Sequence, residues 1–101
     1  LYPPFNRLIK ITLKSKDYSN VDSSSIWMAN YLKQFLKNKI LGPVSPEISK
    51  IRNLFLKQIL VKYSNIGDRE NTKKIISTTI KSFGSISVFR QVRVSIDVDP
   101  Y

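Results

Sequence analysis

Two stretches of strict alternation bracket this chain. Near its start Ile9, Ile11 and Leu13 alternate with Lys10, Thr12 and Lys14. Near its end Val92, Val94, Ile96 and Val98 alternate with Arg93, Ser95 and Asp97. Successive strand side chains point to opposite faces, so each stretch specifies a strand with one buried and one polar face. A sheet of such strands needs a layer over its apolar side, and two helical periodicities supply it. The first runs from Val21 or Asp22 to Lys39, with Ser19 or Asn20 as N-cap and a buried stripe of Met28, Tyr31, Leu32, Phe35 and Leu36. The second is capped by Asp68 after an Asn65-Ile66-Gly67 turn. Its stripe is Thr72, Ile75, Ile76, Thr79, Ile80 and Phe83, with Gly84 at the C′ position.

The connections complete the order of elements. Leu41-Gly42-Pro43-Val44-Ser45-Pro46 breaks the first helix. Glu47 to Arg52 then reads as a short, imperfect strand, and Pro46 at its start assigns it to a sheet edge, because proline donates nothing to a ladder. Leu54 to Tyr63 is apolar on both sides: Phe55, Ile59 and Val61 on one, Leu54, Leu56 and Leu60 on the other. Such a strand is central or has its second face covered, here by protein beyond this chain. Ser85 to Arg90 is irregular, and Tyr2-Pro3-Pro4-Phe5 is extended. The result is β-α-β-β-α-β over residues 1–101, one domain. Right-handed crossovers place the first and third strands centrally and both helices on one face, an α+β ferredoxin-like sandwich with a four-stranded sheet.

Composition narrows function. Seventeen Lys and Arg against seven Asp and Glu, with no His, give a formal charge of +10. On a chain with enough apolar residues to fold, that excess points to an anionic partner, nucleic acid first. Without Cys or His there is no disulfide, no ordinary zinc site and no Ser-His or Cys-His pair. No apolar run spans a membrane. The start, without Met, reads as a piece of a longer polypeptide.

Asp97 and Asp99, two apart at a strand end, have the spacing of paired acids. With no third ligand near and no glycine-rich phosphate loop, they read as structural. The cations divide into groups. Lys50, Arg52, Lys57 and Lys62 lie on or beside the edge strand and its neighbour, and Arg90 and Arg93 on or near the last strand. These six are the candidate DNA contacts, neutralising phosphates without reading sequence. Aromatics do not interleave with them, so base-specific stacking is disfavoured. Arg69 and Lys73 stand one turn apart at the start of the second helix, where a carboxylate tail or phosphate docks, unless Asp68 or Glu70 pairs with them first. Lys33, Lys37 and Lys39 read as a solvated helix end.

Four segments carry a family resemblance: Tyr2-Pro3-Pro4-Phe5, Leu41-Gly42-Pro43, Gln58-Ile59-Leu60-Val61-Lys62 and Asp97-Val98-Asp99-Pro100. Together, in this order, they resemble the C-terminal domain of the PriA family of primosomal replication-restart helicases. The resemblance implies a fold similar to a small-subunit ribosomal protein and a cytoplasmic role at abandoned replication forks. It implies three partners: forked or duplex DNA, the acidic tail of single-stranded DNA-binding protein, and the remaining helicase domains of the same chain. Arg69 and Lys73 match part of the family's tail pocket by position. ATP, Mg and Zn belong to parts of the family's full protein that this chain lacks, so no cofactor and no catalysis are expected in this domain itself. Leu56 and Lys57 stand where the family often has an Arg and an aromatic, and Lys57 substitutes only as a point charge.

Two functions from different classes follow. The first is a non-catalytic DNA-binding module that also helps dock the acidic tail. The alternative is mainly a protein-interaction domain that packs on the helicase motor and binds little DNA. A free-standing ribosomal-type RNA binder fits less well with the start and end of the chain.

Overall fold

The structure is a computed structural model that describes residues 7–46 and 50–98. The elements are β1 (Leu8–Ser15), α1 (Tyr18–Leu36), a 3-10 turn (Lys37–Lys39), β2 (Ile40–Val44), β3 (Lys50–Ile51), β4 (Leu54–Lys62), α2 (Ile66–Gly84), a second 3-10 turn (Ser87–Phe89) and β5 (Arg93–Val98). The sheet runs β2-β4-β1-β5 with antiparallel neighbours, and β3 pairs with β4 along the same edge as β2. Both helices cover one face. The expected ferredoxin-like arrangement is present, with β1 and β4 central and a fifth, two-residue strand added.

Alternation does what it specifies. Ile9, Ile11 and Leu13 of β1 face Val61, Ile59 and Lys57 of β4, and all three are fully buried. Met28, Ala29, Leu32 and Leu36 of α1 and Ile76 and Phe83 of α2 close over them. Each large aliphatic side chain removed from water there contributes about 1.5–3 kcal/mol. Small residues on the inner side of α1, Ser24 and Ser25, are fully buried without cost, because their hydroxyls donate to the Val21 and Asp22 carbonyls. An aromatic cluster ties the layers at one end: Trp27 lies 5.8 Å from Phe83, which stacks on Phe89 at 5.3 Å.

The structure corrects several local expectations. The main edge strand is Ile40–Val44, overlapping the Leu41–Pro46 segment read as a helix break. Pro43 is tolerated there because an edge position leaves one row of the ladder unpaired, and the register shifts between Leu41 and Val44. Gly42 makes this possible: its φ is +115°, and a Cβ would stand 2.9 Å from the Gln58 carbonyl oxygen. Of the described part of the expected strand Glu47 to Arg52, Lys50–Ile51 pairs with β4, while Glu47 to Ser49 lie outside the described residues. Tyr2 to Phe5 and Asp99 lie outside them too.

The caps also move. Asp17, not Ser19 or Asn20, starts α1, its carboxylate accepting from the Ser19 N–H at 3.0 Å. An acceptor two or three residues earlier lengthens the helix by its first turn. Asn65 caps α2, accepting from the Asp68 N–H at 2.9 Å, so Asp68 sits inside the first turn. Gly84 is the last helical residue, not a left-handed cap; the Ser85 N–H and a 3-10 turn satisfy the final carbonyls. Phe35, expected inside, is 54% exposed at the outer edge of the helix layer. Ile96 and Val98 point to the helix side as expected, opposite Ile11 and Ile9, yet remain 41% and 38% exposed. They belong to an edge strand that α2 does not fully reach.

Candidate nucleic-acid interface

The face of the sheet away from the helices carries the even-numbered residues of β1. Pairing decides what each meets. Lys10 lies opposite Asp97, a complementary cross-strand position, and Thr12 lies opposite Ser95. At the third position Lys14 lies opposite Arg93. Like charges directly opposed across an antiparallel pair are destabilising, so nothing in the fold favours that juxtaposition.

Chain geometry then adds to it. Just beyond β1 comes Lys16, and the hairpin between β3 and β4 brings Arg52. The turn before β5 brings Arg90. Together Lys14, Lys16, Arg52, Arg90 and Arg93 line a cleft of about 480 Å³ with Ser15, Leu54 and Gln91. No carboxylate lines it among the described residues, and none of these five cations joins an ion pair among them. Four of the five are exposed and Lys14 is half-buried.

The sequence candidates separate on this map. Arg52, Arg90 and Arg93 converge on the cleft. Lys50 does not: it lies on the helix side, 4.8 Å over the Phe55 ring. Lys57 also lies on the helix side, opposite Leu13, with its side chain only 13% exposed. It sits 3.7 Å from Asp22 and 5.6 Å from the Tyr18 ring, so its charge serves the seam between β4 and α1. Lys62 is at the far end of β4, beside Asn38, Lys39, Tyr63 and Ser64. Lys14 and Lys16 were missed as candidates. Alternation already placed Lys14 on the open face, but only the β1–β5 register sets it against Arg93.

Arg69 and Lys73 are engaged locally. Glu70 lies 3.4 Å from Arg69 and 3.9 Å from Lys73, the surface pairing that the sequence offered as one of two readings. The start of α2 is occupied by the chain's own groups. Asp68 accepts from the Ser64 N–H at 2.8 Å and from Lys39 Nζ at 2.8 and 3.0 Å. These contacts, the Lys39 hydrogen bond first, hold the Asp68 carboxyl below its ordinary value of 3.8. Lys39 is therefore a bridge between the α1–β2 turn and α2, not one of three solvated cations. Among the described residues no group of three His, Cys, Asp or Glu side chains converges to hold a metal, and no helix is long and apolar enough to cross a membrane.

The fold and the cleft define a class: a small ferredoxin-like α+β domain whose open sheet face has a basic end that no described carboxylate lines. The family model described as "Primosomal protein N C-terminal domain" matches residues 1–101, and the chain belongs to that family. It is 30% identical over 94 residues to "Replication restart protein PriA" of Thermotoga maritima, covering 92% of this chain and 11% of that protein. It is 24% identical over 102 residues to the Bacillus subtilis protein of the same name, covering 99% of this chain and 12% of the relative. The chain thus spans about a tenth of the length of these relatives. A de novo designed protein, Foldit4, shares the fold with a TM-score of 0.65 over 95% of this chain and 98% of its own, at 7% identity. That likeness concerns the fold alone.

Proposed function

We propose that this chain is the C-terminal module of a PriA-type replication-restart protein and holds DNA by its phosphates, without reading sequence. The observation that carries this is the pairing of Lys14 with Arg93 inside a five-cation cleft that no described acid lines. Such a cluster costs stability in the free domain and recovers it when phosphates enter. Family membership and the name of the relatives support replication restart as the setting. The absence of His and Cys supports a module that is not catalytic by itself.

The test is a titration of the chain with forked, duplex and single-stranded DNA at two salt concentrations. Each phosphate neutralised on duplex DNA contributes a slope of about −0.9 in log K against log salt, so four or five contacts give about −4. Arg52→Ala and Arg93→Ala should each reduce the slope by about 1. Binding that stays unchanged between low and moderate salt refutes the reading.

The second part of the proposal is that Arg69 and Lys73 help hold the acidic tail of single-stranded DNA-binding protein. A tail carboxylate would displace Glu70, whose contacts of 3.4 and 3.9 Å are long enough to exchange. Charge reversal at both positions should abolish tail-peptide binding and leave DNA affinity intact, since neither lines the cleft. Equal loss of both refutes separate sites. The alternative, packing on a larger polypeptide, is favoured by one observation: Ile76 and Ile80 of α2 form an apolar groove with the exposed Ile96 and Val98 of β5. Little or no DNA affinity of the wild-type chain at low salt would favour that role.

A further inference from the structure

We propose that the β3–β4 hairpin is an apolar wedge that recognises the open end of a DNA duplex, where it meets unpaired strand. The inference rests on reading the basic cleft as a phosphate site and goes beyond it, by naming which DNA feature is recognised and by which residues.

The hairpin is built tightly. Ile51 and Leu54 pair across a two-residue connection, Arg52-Asn53, in which both residues have positive φ, 53° and 65°. Positive φ at both central positions characterises the turn that best matches strand twist, and Asn tolerates it. Arg tolerates it less, at a cost on the order of 1 kcal/mol. That backbone cost falls on an exposed arginine that also lines the basic cleft.

What the tip presents is specific. Ile51 is 48% exposed at a position where a polar residue would serve the fold equally well. It lies on the open face with Leu54 and Leu56, and these form an apolar trough with Thr12, Lys14 and Arg52. The trough and the basic cleft share Lys14, Arg52 and Leu54. A ligand that fills both brings an apolar surface and anionic groups together within a side chain's reach. An intact duplex offers phosphates but hides the faces of its bases. An open duplex end offers both, and aliphatic side chains are the wedges that other proteins place against base steps. The five cations come from the end of β1, the hairpin, the turn before β5 and β5 itself, a spread suited to phosphates of two diverging strands.

The experiment uses fluorescence anisotropy of the 101-residue chain with three probes of equal duplex length: a dumbbell closed by loops at both ends, an open-ended duplex, and a duplex with a single-stranded tail. In the last two, 2-aminopurine replaces the adenine of the terminal pair. The wild-type chain should prefer the tailed duplex over the dumbbell by about fivefold, as expected for covering the exposed part of one isoleucine, and should brighten the 2-aminopurine. Ile51→Thr keeps a β-branched residue in the strand. It should lose the preference while retaining dumbbell affinity, salt slope and melting temperature. Ile51→Phe should increase the preference.

Equal affinity for dumbbell and tailed duplex, with unchanged 2-aminopurine emission, overturns the wedge while leaving salt-dependent phosphate binding in place. Absence of salt-dependent binding to every probe overturns both. If Ile51→Thr instead weakens an acidic peptide ending in apolar residues and spares all three DNAs, the trough is a peptide site and the proposal fails.

Discussion

Removing the charge of Asp68 should uncouple the start of α2 from the turn that follows α1. In the native structure its carboxylate accepts from Lys39 Nζ at 2.8 and 3.0 Å and from the Ser64 N–H at 2.8 Å. The Asp68 side chain is only 18% exposed, whereas Lys39 remains 36% exposed, so solvent screening reduces the pair to about 1 kcal/mol. Asp68→Asn keeps a side-chain carbonyl for the Ser64 N–H and should cost about 1 kcal/mol, and Asp68→Ala about 2 kcal/mol. Lys39→Met should cost about 1 kcal/mol, and the double variant should show a coupling energy of about 0.5–1 kcal/mol. Urea unfolding at constant m-value measures each corner of the cycle.

The pH dependence has a definite sign. The native carboxyl titrates below 3.8 and the unfolded one near that value, so acid favours the unfolded chain, which binds the proton more readily. The contribution is complete above about pH 5 and is lost as pH falls through the lowered native value. Asp68→Asn should therefore flatten the acid limb of the stability profile and leave its neutral plateau parallel to wild type. Strict additivity of Lys39→Met and Asp68→Asn, with an unchanged acid limb, would refute the reasoning.

Other substitutions test the remaining assignments. Gly42→Ala places a Cβ 2.9 Å from the Gln58 carbonyl oxygen and 3.1 Å from the Val44 nitrogen at φ +115°. It should destabilise by about 2 kcal/mol or more in a urea melt. Thr72 is fully buried with no partner for its hydroxyl among the described residues, so Thr72→Val should raise stability by about 1 kcal/mol, visible as a higher midpoint. Lys57→Met should leave the salt slope for DNA unchanged while Arg93→Ala lowers it, because Lys57 faces α1 and Arg93 faces the cleft. A matching loss of slope in both variants would remove the distinction between the two faces.

How much was legible beforehand differs from element to element. Alternation in Leu8 to Lys14 and the stripe from Thr72 to Phe83 encode their own structure, because each pattern tells one residue which side to bury. The edge strand at Ile40–Val44 was not legible. Gly42 and Pro43 signal a break to any local reading, and only the free edge of β4 turns that break into a bulged strand. N-caps were misplaced by two or three residues, since Asp17, Ser19 and Asn20 all carry the acceptor that a cap needs. Lys57 was assigned by charge alone, and the β1–β4 register moved it to the helix side, opposite Leu13.

Sequence by itself determined the class of this domain: alternating strands and two amphipathic helices in β-α-β-β-α-β order, an excess of positive charge, and the segments that resemble the PriA family. Those properties are local or additive, so no partner is needed to read them. Which cations act together was decided by tertiary structure. Lys14, Lys16, Arg52, Arg90 and Arg93 are separated by up to 79 positions along the chain. They meet only because β1 pairs with β4 on one side and β5 on the other, in one register each. Charge is a property of residues, whereas a binding cleft is a property of register.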